Sequence, residues 1–161
     1  MRLTVVALIA ALCVPLLSKQ VSANAPTDLG IIEWAIVYAI QHEMQVGNIR
    51  KEQDFCVAFG NGLTLNEKGI ISELRRKGLR AHEASWCNRG PRGLDVSILA
   101  PIKETAAGTY EFLLQLGDLS VIQQGEHFGT LLKRCKYAIH SVKGSDPELV
   151  SYEQTCCEKD Q

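Results

Sequence analysis

An α+β fold follows from three features of this 161-residue sequence. Near the start of the folded part, apolar residues recur at three- and four-residue spacing, the period of a helix lying on a core. Residues 94 to 155 instead alternate apolar with polar positions over several consecutive runs, the period of strands with one buried face. Between the two lies a second, shorter helical pattern. The expected architecture is an N-terminal helix and a second short helix packed on a curved, mostly antiparallel sheet that ends in a β-meander.

Residues 1 to 23 stand outside that architecture. Arg2 precedes a run from Leu3 to Leu17 that is apolar apart from Thr4 and Pro15, and Val21, Ala23 and Ala25 are small residues of the kind a signal peptidase reads. The pattern is that of a secretory signal peptide, cleaved after Ala23 in preference to Ala25, which would leave Pro26 directly behind the scissile bond. A membrane anchor needs roughly 20 apolar residues, and Pro15 and Lys19 end the run sooner. Cleavage leaves 138 residues, a single domain over 24–157 with a short polar tail at 158–161. The removed segment carries two of the seventeen basic residues and none of the eighteen acidic ones, so the remainder has a net charge of −3, fifteen against eighteen. Such mild acidity speaks against nucleic acid or an anionic membrane surface as partner, because both call for a clustered positive field. A secreted or periplasmic protein is expected.

The first helix can be capped by Thr27 or Asp28, and its stripe is Ile32, Ala35, Ile36, Ala39, Ile40 and Met44, with Gly47 and Asn48 marking its end. Residues 55 to 59, FCVAF, are short and apolar enough for a buried strand. The second helix takes Asn66 as its cap, Ile70, Ile71 and Leu74 as its apolar edge, and Gly78 as its left-handed terminator. Arg75, Arg76 and Lys77 fall in its last turn, where the helix dipole favours cations without any ligand. A strand is expected over 79 to 84. Leu94, Val96, Ile98, Ala100 and Ile102 then share one strand face, with Pro101 near the strand's end or on an edge because it cannot donate to a ladder. Tyr110, Phe112, Leu114 and Leu116 share the next, Gly117 and Asp118 turn into 119 to 123, a long strand covers 131 to 142, and 144 to 147 turn into 148 to 155.

The last hairpin allows a disulfide prediction. With Lys143 opposite Glu148 across a four-residue turn, paired positions sum to 291 and Cys135 lies opposite Cys156. Cys157 then points to the other face and can reach Cys87, which leaves Cys56 a free buried thiol; five cysteines with one left over allow fifteen such arrangements. Export favours disulfides in general.

Motifs for chemistry are missing from the sequence. No C-x-x-C or H-x-x-x-H spacing occurs, so no metal is expected, and no glycine-rich phosphate cradle or G-x-S-x-G turn suggests a cofactor or a nucleophile. His42 and Glu43, His82 and Glu83, and Glu126 and His127 are sequence neighbours, and neighbours on an element diverge in direction. The loop over 85 to 93, with Trp86, Arg89, Arg92 and Cys87, is the least ordinary surface, since Trp and Arg are enriched at interaction hot spots.

The element order, helix, strand, helix and curved meander, resembles the cone folds of the nuclear-transport-factor-like and cystatin-like families, and FCVAFGNG, ASWC, GEHFGTLLKRCKYAI and ELVSYEQTCC resemble stretches of small exported bacterial proteins of unassigned function. The cone implies a pocket between helix and sheet, used for small-molecule binding, isomerase or hydrolase chemistry, or else a surface for homodimerisation. Two functions are therefore expected to compete. One is a non-catalytic exported binding or interaction domain acting through the Trp86 loop. The other is a pocket protein drawing an acid or base from Tyr38, His42, Tyr110 or Tyr137, which a closed pocket holding one of these beside a carboxylate would favour and a side-chain-filled interior would remove.

Overall fold

The computed structural model describes residues 29–87, 93–123 and 126–156; the expected signal segment, the caps Thr27 and Asp28, and Arg89, Arg92 and Cys157 lie outside them. Among the described residues three helices and six strands build an α+β fold with an open, mostly antiparallel sheet. Helix α1 (Ile31–Gln45) buries Ala35, Ile36, Val37, Ala39 and Ile40 and begins at Gly30 without a side-chain cap. Strand β1 (Asp54–Phe59) leads to helix α2 (Glu67–Arg76), whose cap is the expected one: the Asn66 side chain accepts from the Gly69 amide at 3.0 Å. Past its end Gly78 sits at φ +83°, the left-handed conformation that a side chain would strain. The cations of its last turn are occupied locally, Arg76 with Glu73 at 2.7 Å, Arg75 with the Ala81 carbonyl at 2.8 Å, and Lys77 over the Trp34 ring.

Strand β2 (Arg80–Glu83) is followed by a one-turn helix α3 (Ala84–Cys87), and then by β3 (Leu94–Ala106), β4 (Thr109–Gln123), β5 (Glu126–His140) and β6 (Glu148–Cys156). The sheet order is β2-β1-β3-β4-β5-β6. From β3 onward every pair is antiparallel, whereas β1 is parallel to both β2 and β3. Parallel neighbours need a crossover: α2 supplies the one to β2, and the segment through α3 carries the chain back to the other side of β1. Flanked on both edges and covered on both faces, β1 is an unbroken apolar run and not an alternating one.

Three expectations need correction. Gly117 and Asp118 make no turn: β4 runs straight through them, absorbing the irregularity as register shifts between Leu116 and Val121. The following strand starts at Glu126 instead of 131, so β4 and β5 form one long hairpin. Pro101 meets its expectation of an edge position: beyond Ile98 β3 has no β1 neighbour, and Pro101 falls at a register shift between Leu99 and Lys103 where no ladder bond is needed from it. In the last hairpin the β5–β6 connection is longer than four residues: Glu148 faces His140, so paired positions sum to 288 next to it, and to 289 beyond a register shift between Ala138 and Ile139. Cys135 is therefore opposite Gln154, and Cys156 is opposite Lys133.

That register removes the Cys135–Cys156 bridge. Cys135 is buried with a free thiol, and Cys56 and Cys87 lie at disulfide distance, their Cα atoms 6.1 Å apart. Phe55 and Val57 join the main core while Cys56 alternates to the opposite face, where α3 presents Cys87. The apolar setting of Cys56 thus hides a bonded cysteine and not a spare one.

One sheet face carries the core. Phe55, Val57, Leu94, Val96, Ile98, Phe112, Leu114 and Leu116 pack with the buried residues of α1 and α2. The other face is more polar, with Ser97, Gln115 and Arg134 in one row across the strands and Lys136 reaching diagonally to Glu111 at 3.4 Å. Among the described residues the far ends of β4 and β5 run past the rest of the sheet: β3 pairs with β4 as far as Asp118 and β6 with β5 as far as Lys133, whereas Val121 to Gln123 pair only with residues 126–128.

Candidate site: a polar seam between α1 and the β5–β6 edge

Rows of the core face change character from one side of the sheet to the other. Register places Ile98, Leu114, Cys135 and Gln154 in one row, and Phe112, Tyr137 and Tyr152 in the next. The apolar surface therefore gives out at β5 and β6, under the C-terminal turn of α1. The stripe of α1 changes in the same place, for Ile36, Ile40 and Glu43 follow one another at four- and three-residue spacing.

Glu43 has no exposed surface. The last turn of a helix is the wrong end for an anion, and an unpaired buried carboxylate is costly, so the chain surrounds this one with donors. Tyr137, equally buried, donates its hydroxyl to Glu43 Oε1. Asn48 Nδ2 donates to Oε2 at 2.6 Å, and the Asn48 and Ile49 amides both donate to the Glu43 carbonyl as the helix ends. Lys133 Nζ donates to Asn48 Oδ1, which places an ammonium one residue away from the carboxylate.

The network continues to the surface. Asn48 Nδ2 also reaches Gln154 Oε1 at 3.0 Å, and the Tyr152 hydroxyl donates to the same oxygen at 2.8 Å. Gln154 is exposed and Tyr152 half-buried. On the inner side His42 Nδ1 lies 2.9 Å from the Tyr137 oxygen, its ring edge-on to Tyr137 and Tyr152 at centroid distances of 5.7 and 4.7 Å. Burial, the Glu43 hydrogen bond and its charge push the Tyr137 phenol far up. Burial and the Cys135 contact push Tyr152 up as well, and burial with the Glu43 charge pushes the Cys135 thiol up to about 12. Groups that hold their protons so firmly remain donors and exchange protons poorly near neutrality.

Two of the four acid and base candidates, His42 and Tyr137, thus meet at a carboxylate, while Tyr38 packs at the edge of the core and Tyr110 is half-buried on β4. His42 and Glu43 do diverge as neighbours, and it is Tyr137, 94 residues after Glu43, that joins them. Sequence reasoning missed Glu43 and Asn48. The signal was present in the apolar stripe, which passes through position 43 as readily as through Met44.

Trp86 lies at a separate corner. Its indole is 37% exposed and stacks on His82 at 3.8 Å and 9°, while His82 Nε2 meets Asp54 Oδ1 at 2.8 Å. The His82 hydrogen bond holds the Asp54 carboxyl below its ordinary value, with Arg80 adding to the effect. Among the described residues no group of three His, Cys, Asp or Glu side chains converges as a metal site would, and no helix is long and apolar enough to cross a membrane. Comparison with models of protein families, with curated proteins and with solved structures found no match to this chain.

Proposed function

We propose that this chain is an exported, non-catalytic binding domain whose ligand docks on the polar seam between α1 and the β5–β6 edge. The observation that carries the reading is Glu43: a carboxylate without exposed surface, at the unfavourable end of a helix, wired through Asn48, Tyr152 and Gln154 to the protein surface. Buried charge of this kind clusters at functional sites because a purely structural seam is built more cheaply from apolar side chains. Recognition is favoured over catalysis because Tyr137, Tyr152 and Cys135 are all shifted away from the range in which proton transfer is efficient at neutral pH. Export is supported by the Cys56–Cys87 pair, since such bonds persist in oxidising compartments. Titration of the labelled protein with a panel of amino acids, monosaccharides and short amines should shift the amide resonances of Asn48, Tyr152 and Gln154 together. A panel that leaves all three unmoved counts against the seam.

A second reading rests on Trp86, which is backed by an imidazole, tethered through the adjacent Cys87 and one-third exposed. On this reading Trp86, with Arg89 and Arg92, captures a protein partner. Replacing Trp86 and Arg89 together by alanine should then abolish capture at an unchanged melting temperature; an unaltered pull-down removes the corner as the contact.

A further inference from the structure

Tyr137 has one hydroxyl proton and two neighbours placed to receive it. Glu43 Oε1 accepts it, and His42 Nδ1 lies 2.9 Å from the same phenol oxygen. A carboxylate has no proton to give, so the Tyr137 proton points at Glu43 and the Tyr137 oxygen must be the acceptor toward His42. The hydrogen between them belongs to Nδ1. A neutral imidazole carries a single N–H, which leaves His42 Nε2 a bare lone pair. His42 is half-buried, and among the described residues Nε2 meets no donor.

The direction of this chain is set at its other end. Lys133 has only hydrogens to offer and gives one to Asn48 Oδ1, which turns the Asn48 amide nitrogen toward Glu43 Oε2. Glu43 receives from both sides, so each link has one permitted orientation. We propose that His42 Nε2 is the acceptor through which the seam takes its ligand, that Tyr137 is a positioning residue holding the imidazole as its Nδ1–H tautomer, and that the ligand presents a hydroxyl, amide N–H or ammonium donor. The recognition half rests on the seam being a ligand site; the tautomer half stands on the hydrogen bonds alone.

Long-range proton–nitrogen NMR on the full chain, labelled at histidine and held where imidazole is neutral, reads both ring nitrogens directly. The wild type should show His42 protonated at Nδ1 and bare at Nε2. In Glu43→Gln, Asn48 is still held by Lys133 and still donates, so the new carboxamide oxygen must face Asn48 and its NH2 must face Tyr137. The Tyr137 proton then swings to His42 Nδ1, and the tautomer inverts to Nε2–H. Tyr137→Phe, a second variant in case the first unfolds, removes the acceptor and loses the Nδ1–H preference. A wild type protonated at Nε2, or a folded Glu43→Gln chain with an unchanged tautomer, overturns the positioning role. Glycerol, acetamide and methylammonium are the probes for recognition, and at least one should move the His42 Nε2 resonance in the wild type and not in Glu43→Gln. If Asn48 and Gln154 respond while Nε2 does not, the seam binds without His42 and this inference alone falls; if no seam resonance responds, the ligand-site reading falls with it.

Discussion

Cys135 shows what the seam does to a single side chain. The thiol is buried, contacts the Tyr152 hydroxyl at 3.8 Å and lies close to the Glu43 charge, and burial followed by that charge pushes it up to about 12. A thiol is a nucleophile only as its thiolate. Folded protein should therefore resist iodoacetamide at Cys135 at neutral pH and react there in denaturant, as mass mapping of the labelled peptide can establish; rapid labelling of folded protein would contradict the burial. The same displacement has a sign in stability. Cys135, Tyr137 and Tyr152 keep their protons in the folded chain at pH values where the unfolded chain has begun to lose them, starting near the ordinary thiol value of 9.0. Stability is thus fully held below that pH and declines as pH rises from there toward 12. Urea midpoints measured across the window should fall steadily, and a flat series would show that the three groups are freer than their packing implies.

Elements were legible in the sequence to the extent that each is fixed by its own period and caps. Asn66 is an example: an Asn ahead of an amphipathic run, with a glycine three positions on, whose amide it binds. Replacing Asn66 by Ala should cost about 1 kcal/mol, read as a shift in the urea midpoint, and more is expected if the Glu33 contact to the Asn66 amide is lost with it. What the residues did not reveal depends on partners far along the chain. Gly117 followed by Asp118 has the composition of a turn, yet the neighbouring strands carry β4 past it as an irregularity in pairing. The last hairpin turned on a connection length and on one irregularity in pairing, and together they displaced the register at Cys135 by two residues, enough to put Gln154 where a cysteine was expected. Glu43 was hidden for a related reason, since its donors come from Tyr137 on a strand and from Asn48 beyond the helix end.

For the whole molecule, the Cys56–Cys87 pair closes a loop of 31 residues around α2 and β2, the part of the sheet joined by parallel pairing. Constraint of the unfolded chain over a loop of that length is worth about 3–4 kcal/mol. Adding reductant, or replacing both cysteines by alanine, should lower the unfolding free energy by that order in urea titrations, and non-reducing peptide mapping should recover Cys56 linked to Cys87. A map that recovered Cys87 linked to Cys157 would restore the pairing drawn from sequence. At the opposite end of the molecule, the β4–β5 hairpin runs beyond the described residues of both neighbouring strands, and among the described residues pairs such as Val121 with Phe128 are bonded to each other alone. Two strands without a third are marginal in water, so amide hydrogens at the tip should exchange through local opening, while those at Phe112 and Leu114 wait for the domain to unfold. The ribbon is accordingly where this chain can best be lengthened: among the described residues Val121 to Gln123 have no strand partner besides residues 126–128, so a peptide or reporter placed between Gln123 and Glu126 extends the hairpin and leaves Glu43 and its donors undisturbed.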